Sequence, residues 1–151
     1  MDEKFMDRAI ALAKEGASFD EVPVGAVIVK DGEIIAEATN YKERENCAVY
    51  HAEIVSIQRA TKRLNNWYLS GCDLYVTLEP CLMCVGAIIN SRIDNVYYGA
   101  YDKKAGCCTS VYKLLGDEKF NHRPNVVGGI KEEECGVLLS EFFKAKRKTS
   151  R

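Results

Sequence analysis

The sequence predicts a layered α/β fold in one domain over residues 1–151. Three observations predict it. Segments with helical apolar spacing alternate with short β-rich runs in the order helix, hairpin, helix, strand, helix, strand, which suits helices packed on a sheet. Asp31-Gly32 stands between two β-compatible runs and is a strong two-residue hairpin signal. The 151 residues, 47% hydrophobic and 28% charged, suffice for one core, and no repeat, low-complexity tract or linker divides them.

Residues 2–15 carry Phe5, Met6, Ala9, Ile10, Leu12 and Ala13 at helical spacing, with Gly16 as a stop. Val24–Val29 and Ile34–Thr39 are the hairpin strands. Asn40 ends the second and is by itself a turn former. A polar loop, 41–50, holds Lys42, Arg44 and Cys47. A helix then runs from His51 to about Arg63 on Ile54, Val55, Ile57 and Ala60. The loop 65–72 contains the sole tryptophan, Trp67, expected to cover the core. A third strand spans 74–78, a helix follows from Cys81 to about Ser91, and 95–100 is a fourth strand rich in Val and Tyr. Val126-Val127 reads as a short fifth strand closed by Gly128-Gly129. The last helix is expected over 131–146.

The chemistry concentrates in two pieces, His51-Ala52-Glu53 and Pro80-Cys81-Leu82-Met83-Cys84. Pro80 suits the first turn of a helix, where a missing N–H costs nothing. Cys81 and Cys84 then share one helical face near a helix start, where thiolates are favoured. One imidazole and two thiolates leave a tetrahedral zinc one open position for water, a catalytic rather than a structural pattern. Glu53 is poorly spaced to be a fourth ligand, but at a helix's open first turn it can stand beside that water as a proton shuttle. His122 has no partner at ligand spacing, so a surface or RNA contact suits it better. Cys107-Cys108 read as small semi-apolar fillers.

Composition excludes several classes. A net charge of -1 gives no overall basic character, so any nucleic-acid face must be local. No apolar run approaches the roughly 20 residues of a membrane span. The N-terminus lacks a signal-peptide pattern, and seven cysteines without one point to a reducing compartment, the cytoplasm. One local basic segment stands out. Residues 141–151 hold Lys144, Lys146, Arg147, Lys148 and Arg151 against Glu141, with Phe142 and Phe143 nearby. Charge complementing the helix dipole explains these residues as well as phosphate gripping and base stacking do.

H-x-E followed by P-C-x-x-C resembles the signature of zinc nucleobase and nucleoside deaminases. The resemblance extends along the chain. Glu21-Val22-Pro23-Val24-Gly25-Ala26-Val27, His51-Ala52-Glu53-Ile54, Leu74–Cys81, Gly99-Ala100, Asn121-His122 and Glu134-Cys135 with Phe142-Phe143 are similar to bacterial tRNA adenosine deaminases. This implies a three-layer α/β/α cytidine deaminase-like fold with a central mixed sheet of about five strands. It also implies one zinc per chain on His51, Cys81 and Cys84, with Glu53 catalytic. The expected reaction is hydrolytic conversion of adenosine to inosine at the wobble position of an anticodon. The partners implied are a tRNA anticodon stem-loop and a second copy in a homodimer, with no membrane. Asn40 matches the family's base contact, and Asp102-x-Lys104-x-Gly106 matches a segment at the mouth of its site. With Asn121 and Phe142 these are the expected substrate-binding residues. Tyr50 and Cys107-Cys108 depart from the pattern. A deaminase of a free base or nucleoside, of guanine or cytosine type, would share every catalytic residue. A zinc-stabilised RNA-binding module without catalysis is the remaining alternative.

Overall fold

The structure, a computed structural model, describes residues 1–149. Its centre is a five-stranded sheet of β1 (Gly25–Lys30), β2 (Glu33–Thr39), β3 (Cys72–Leu78), β4 (Asn95–Ala100) and β5 (Asn125–Val127), in spatial order β2-β1-β3-β4-β5. β1 pairs antiparallel with β2 and β3, whereas β3–β4 and β4–β5 are parallel. The sheet is therefore mixed, as expected. Asp31 (φ 51) and Gly32 (φ 77) both lie in the left-handed region, as a tight primed hairpin turn requires.

The pleat sorts side chains between two cores. Ala26, Ile28, Leu74, Val76, Val96 and Tyr98 face α2 (Ala52–Leu64) and α3 (Leu82–Ser91). Val27, Val29 and Tyr75 face α1 (Glu3–Ser18) and α4 (Glu132–Thr149). The result is three layers, α/β/α. Burying each Val, Leu or Ile side chain among these is worth about 1.5–3 kcal/mol. Tyr75 also accepts a 2.9 Å hydrogen bond from the backbone N–H of Asp2, which ties the start of α1 to the middle of the sheet.

Several boundaries differ from the sequence reading. Helix α1 runs through Gly16, because a side chain there would press on Thr39 (3.2 Å to its Cβ) and glycine permits the close approach. Cys81 is extended (φ -79, ψ 177) and is the N-cap of α3, so Pro80 precedes the cap instead of entering the first turn. Trp67 is not core cover: it is 65% exposed and packs edge-on to Tyr68 at 5.4 Å. A 3₁₀ turn at Leu114–Gly116, unsignalled by periodicity, buries Leu115. Arg151 lies outside the described residues. Among the described residues, no helix is long and apolar enough to cross a membrane.

Candidate active site

Two helix starts meet at one place. His51 is the N-cap of α2 and Cys81 the N-cap of α3, and neither side chain caps its own helix. They face each other instead. His51 Nδ1 lies 3.6 Å from Cys81 Sγ and 3.7 Å from Cys84 Sγ. The three donor atoms fall within 4.8 Å of one another. A tetrahedral zinc with bonds of about 2.3 Å to sulfur and 2.0–2.1 Å to nitrogen would separate a sulfur and an imidazole nitrogen by about 3.6 Å. The donor set, two soft sulfurs and an imidazole, also suits zinc. The group can therefore hold such a metal. The positive ends of both helix dipoles add to the stability of thiolate charge there.

The electrostatics fit. A hydrogen bond from Cys84, with a further one from His51, draws the Cys81 thiol down to about 4 despite its burial. The same bond and burial hold Cys84 above its ordinary value. His51 is raised, chiefly by its hydrogen bond with Cys81. Glu53, in the first turn of α2, is buried, and that burial raises its carboxyl pKa. A carboxyl pushed upward holds and releases a proton closer to neutrality.

A cleft of about 180 Å³ opens beside these residues, lined by Asn40, His51, Glu53, Glu79, Cys81 and Asp102 among others. Tertiary structure thus brings together five residues that the sequence singled out, with Cys84 buried behind Cys81. Lys104, Asn121 and Phe142 do not line it. Lys104 is exposed on the same turn as Asp102, whose Oδ1 accepts from the Lys104 N–H at 3.1 Å. Asn121 is exposed. Phe142 is half-buried on α4, packed edge-on to Phe143 at 5.5 Å. His122 Nε2 donates to Ile93 O at 2.6 Å. Tyr50 is absent from the lining, and Cys107 and Cys108 are buried core fillers, as their size suggested.

Two buried carboxylates escaped the sequence reading. Glu79 is 2% exposed and gathers the loop after β4. It accepts from the backbone N–H of Asp102 (3.0 Å), Cys108 (3.1 Å), Thr109 (2.8 Å) and Ser110 (2.9 Å), and from Ser110 Oγ (2.5 Å). Burial works against its charge, but these bonds outweigh it and its pKa lies below the ordinary value. Glu21 does the same for the loop after β2, accepting from the N–H of Glu43 (2.9 Å) and Arg44 (2.8 Å). The available signal was a carboxylate beside an apolar strand: Glu21 before β1, Glu79 directly after β3. So two loops, one carrying Asn40 and Lys42 and the other Asp102, meet at the cleft, each held by one buried glutamate.

The chain matches the MafB19-like deaminase family over residues 1–147. It is 50% identical over 147 residues to the tRNA-specific adenosine deaminase of Bacillus subtilis (strain 168), covering 97% of this chain and 91% of that one. A solved structure from work on A-to-I editing by tRNA:A34 deaminases at the wobble position of transfer RNA superposes with a TM-score of 0.88 at 41% identity, over 91% of this chain and 100% of that one. A guanine deaminase structure from Bacillus subtilis shares 45% identity and a TM-score of 0.64, over 67% of this chain and 66% of that one. Helix starts that converge on a His-Cys-Cys donor set beside a buried glutamate, and matches that span nearly the whole chain, lead to one assignment: this protein belongs to the MafB19-like deaminase family, with the tRNA-specific adenosine deaminases.

Proposed function

We propose that the protein hydrolyses adenosine to inosine at the wobble position of a tRNA anticodon. One observation carries the reading: three metal-donor atoms within 4.8 Å of one another, with the buried carboxyl of Glu53 on the same cleft wall. His51, Cys81 and Cys84 would hold one zinc per chain. When bound, zinc supplies Lewis acidity that makes water reactive near neutral pH. Glu53 takes the proton from that water and returns protons to the ring nitrogen and the departing amine. Water enters and ammonia leaves, so the exchange balances.

Asn40 and Asp102 orient the base within the cleft. The target base leaves a single-stranded loop to enter it. Lys104, Asn121 and Phe142 then serve the RNA flanking that base, with the basic end of α4 against the phosphates. The reading extends to a single domain over 1–151, a homodimer and a cytoplasmic location. One sheet with a core on each face supports the single domain. Seven free thiols agree with a reducing compartment.

The test is a deamination assay with zinc-loaded protein. An anticodon stem-loop with adenosine at the wobble position is offered beside free adenine, adenosine, guanine and cytidine. Inosine in the stem-loop alone is the expected result. The likeness to a guanine deaminase supports a second reading, in which a free base is the substrate. Turnover of guanine with the stem-loop untouched would establish that reading and overturn the first.

A further inference from the structure

We propose that Arg44 is a positioning residue for base recognition: it immobilises the loop that carries Asn40, using buried Glu21 as its anchor. The proposal builds on Asn40 as a substrate contact. Residues 40–50 join β2 to α2 without regular structure, yet Asn40 at their start is only 7% exposed and lines the cleft. Something must hold such a loop at fixed geometry. Arg44 is built to do it.

Its guanidinium is engaged through Nε and Nη2. Nε donates to Glu21 Oε2 at 3.0 Å, and Nη2 donates to Asn40 O at 2.7 Å and to Thr39 Oγ1. Two aromatic rings pack against it as well. The guanidinium carbon lies 4.0 Å from the Tyr41 ring centre and 4.6 Å from that of Phe19. A planar fork that packs against two rings and bonds to three acceptors has little freedom to move. It is also a poor phosphate grip, because Nε and Nη2 are already committed and its side chain is only 23% exposed.

The anchor is firm for a separate reason. Glu21 has no exposed surface, and it also accepts the backbone N–H groups of Glu43 and Arg44. The backbone around Arg44 is thus pinned by Glu21, and its side chain reaches back four residues to hold Asn40. Asn40 is fixed at a second point, where its Oδ1 accepts from the Lys42 N–H at 3.0 Å. That bond sets which way the amide faces. The Asn40 N–H also donates to Val24 O at 3.2 Å and its carbonyl also accepts from Thr39 Oγ1 at 3.2 Å, so Arg44 supplies the one bond to Asn40 that comes from a charged side chain, and its acceptors include none of the metal-donor residues.

A double-mutant cycle on the zinc-loaded enzyme tests this, with Arg44→Ala, Asn40→Ala and the double variant assayed on the anticodon stem-loop. Arg44→Ala should lower kcat/KM about tenfold, mainly through KM, with zinc per chain unchanged. If Arg44 acts through Asn40, the double variant is no worse than Asn40→Ala alone. Additive losses, a fall confined to kcat, lost zinc, or wild-type kinetics in either single variant would overturn the proposal. Arg44→Lys keeps the charge opposite Glu21 but lacks the planar fork, and it is read in the same cycle should Arg44→Ala not fold. The cycle is read on whichever substrate the wild type turns over, so a wrong substrate and a wrong role for Arg44 give separate signals.

Discussion

Gly106 stands across an isolated antiparallel bridge from Cys81. The loop at the mouth of the cleft and a metal-donor residue therefore share backbone pairing. A Cβ on Gly106 would run into the carboxylate of Glu79, the group that gathers the same loop. Gly106→Ala is expected to destabilise the fold by about 1–3 kcal/mol, as overpacking does. It should also lower zinc occupancy. Urea titration and metal analysis would read both, and a variant with wild-type midpoint and zinc would show that the loop yields freely.

Glu53→Ala should retain one zinc per chain while kcat falls by roughly 10²–10⁴, the usual worth of a positioned acid–base group. Steady-state assays with metal analysis on the same preparation decide it. Turnover at the wild-type rate would remove the shuttle role.

Cys81→Ser and Cys84→Ser should each lose zinc, since each deletes one of the three protein donors found among the described residues. Serine preserves size and hydrogen bonding but is a poor soft ligand. One zinc per chain in both variants would mean that the ligands are misassigned.

Glu21 predicts an acid limb in stability. Burial opposes its charge, but hydrogen bonds from Glu43 and Arg44 and the nearby guanidinium outweigh it, so its folded pKa lies below the ordinary 4.5. A depressed folded pKa contributes stability that is present above the unfolded value and is lost as pH falls through the folded one. Urea midpoints taken from neutral pH to about pH 3 should fall in that acid window. The fall should be shallower in Glu21→Gln, which is less stable at neutral pH because it cannot offer Arg44 a charged partner. Equal slopes in the two proteins would assign the acid limb to other carboxylates.

Replacing Lys144, Lys146 and Arg147 with glutamine should weaken binding of the stem-loop and flatten its salt dependence. Lys146 also pairs with Asp20 at 2.7 Å, but both side chains are largely exposed, so this loss costs the fold under about 1 kcal/mol. Affinity unchanged across a salt titration would take the end of α4 out of the RNA interface.

What was legible in the sequence had a short range. Helix α2 shows in its own apolar spacing, and the hairpin shows in Asp31-Gly32, because turn geometry is decided by residues adjacent in the chain. The donor types and their 81–84 spacing place two thiols one turn apart wherever the helix lies. Trp67 misled for the converse reason: a large apolar ring says that burial is favourable, but only the packed neighbours decide whether a cavity exists to receive it.

The sequence by itself determined the alternation of helices and strands, the identity of the donors and the carboxylate beside them. Tertiary structure alone decided that His51 and Cys81 both stand at helix N-caps and face one another instead of capping. It decided, too, that Lys104, Asn121 and Phe142 lie outside the cleft while Asn40 and Asp102 line it. Above all it decided the tasks of Glu21 and Glu79, which bond to loops 22 to 31 residues further along the chain. Periodicity reports which face of one element is apolar. A buried carboxylate is tolerated only where several donors converge on it, and that convergence exists only once the sheet has brought distant loops together.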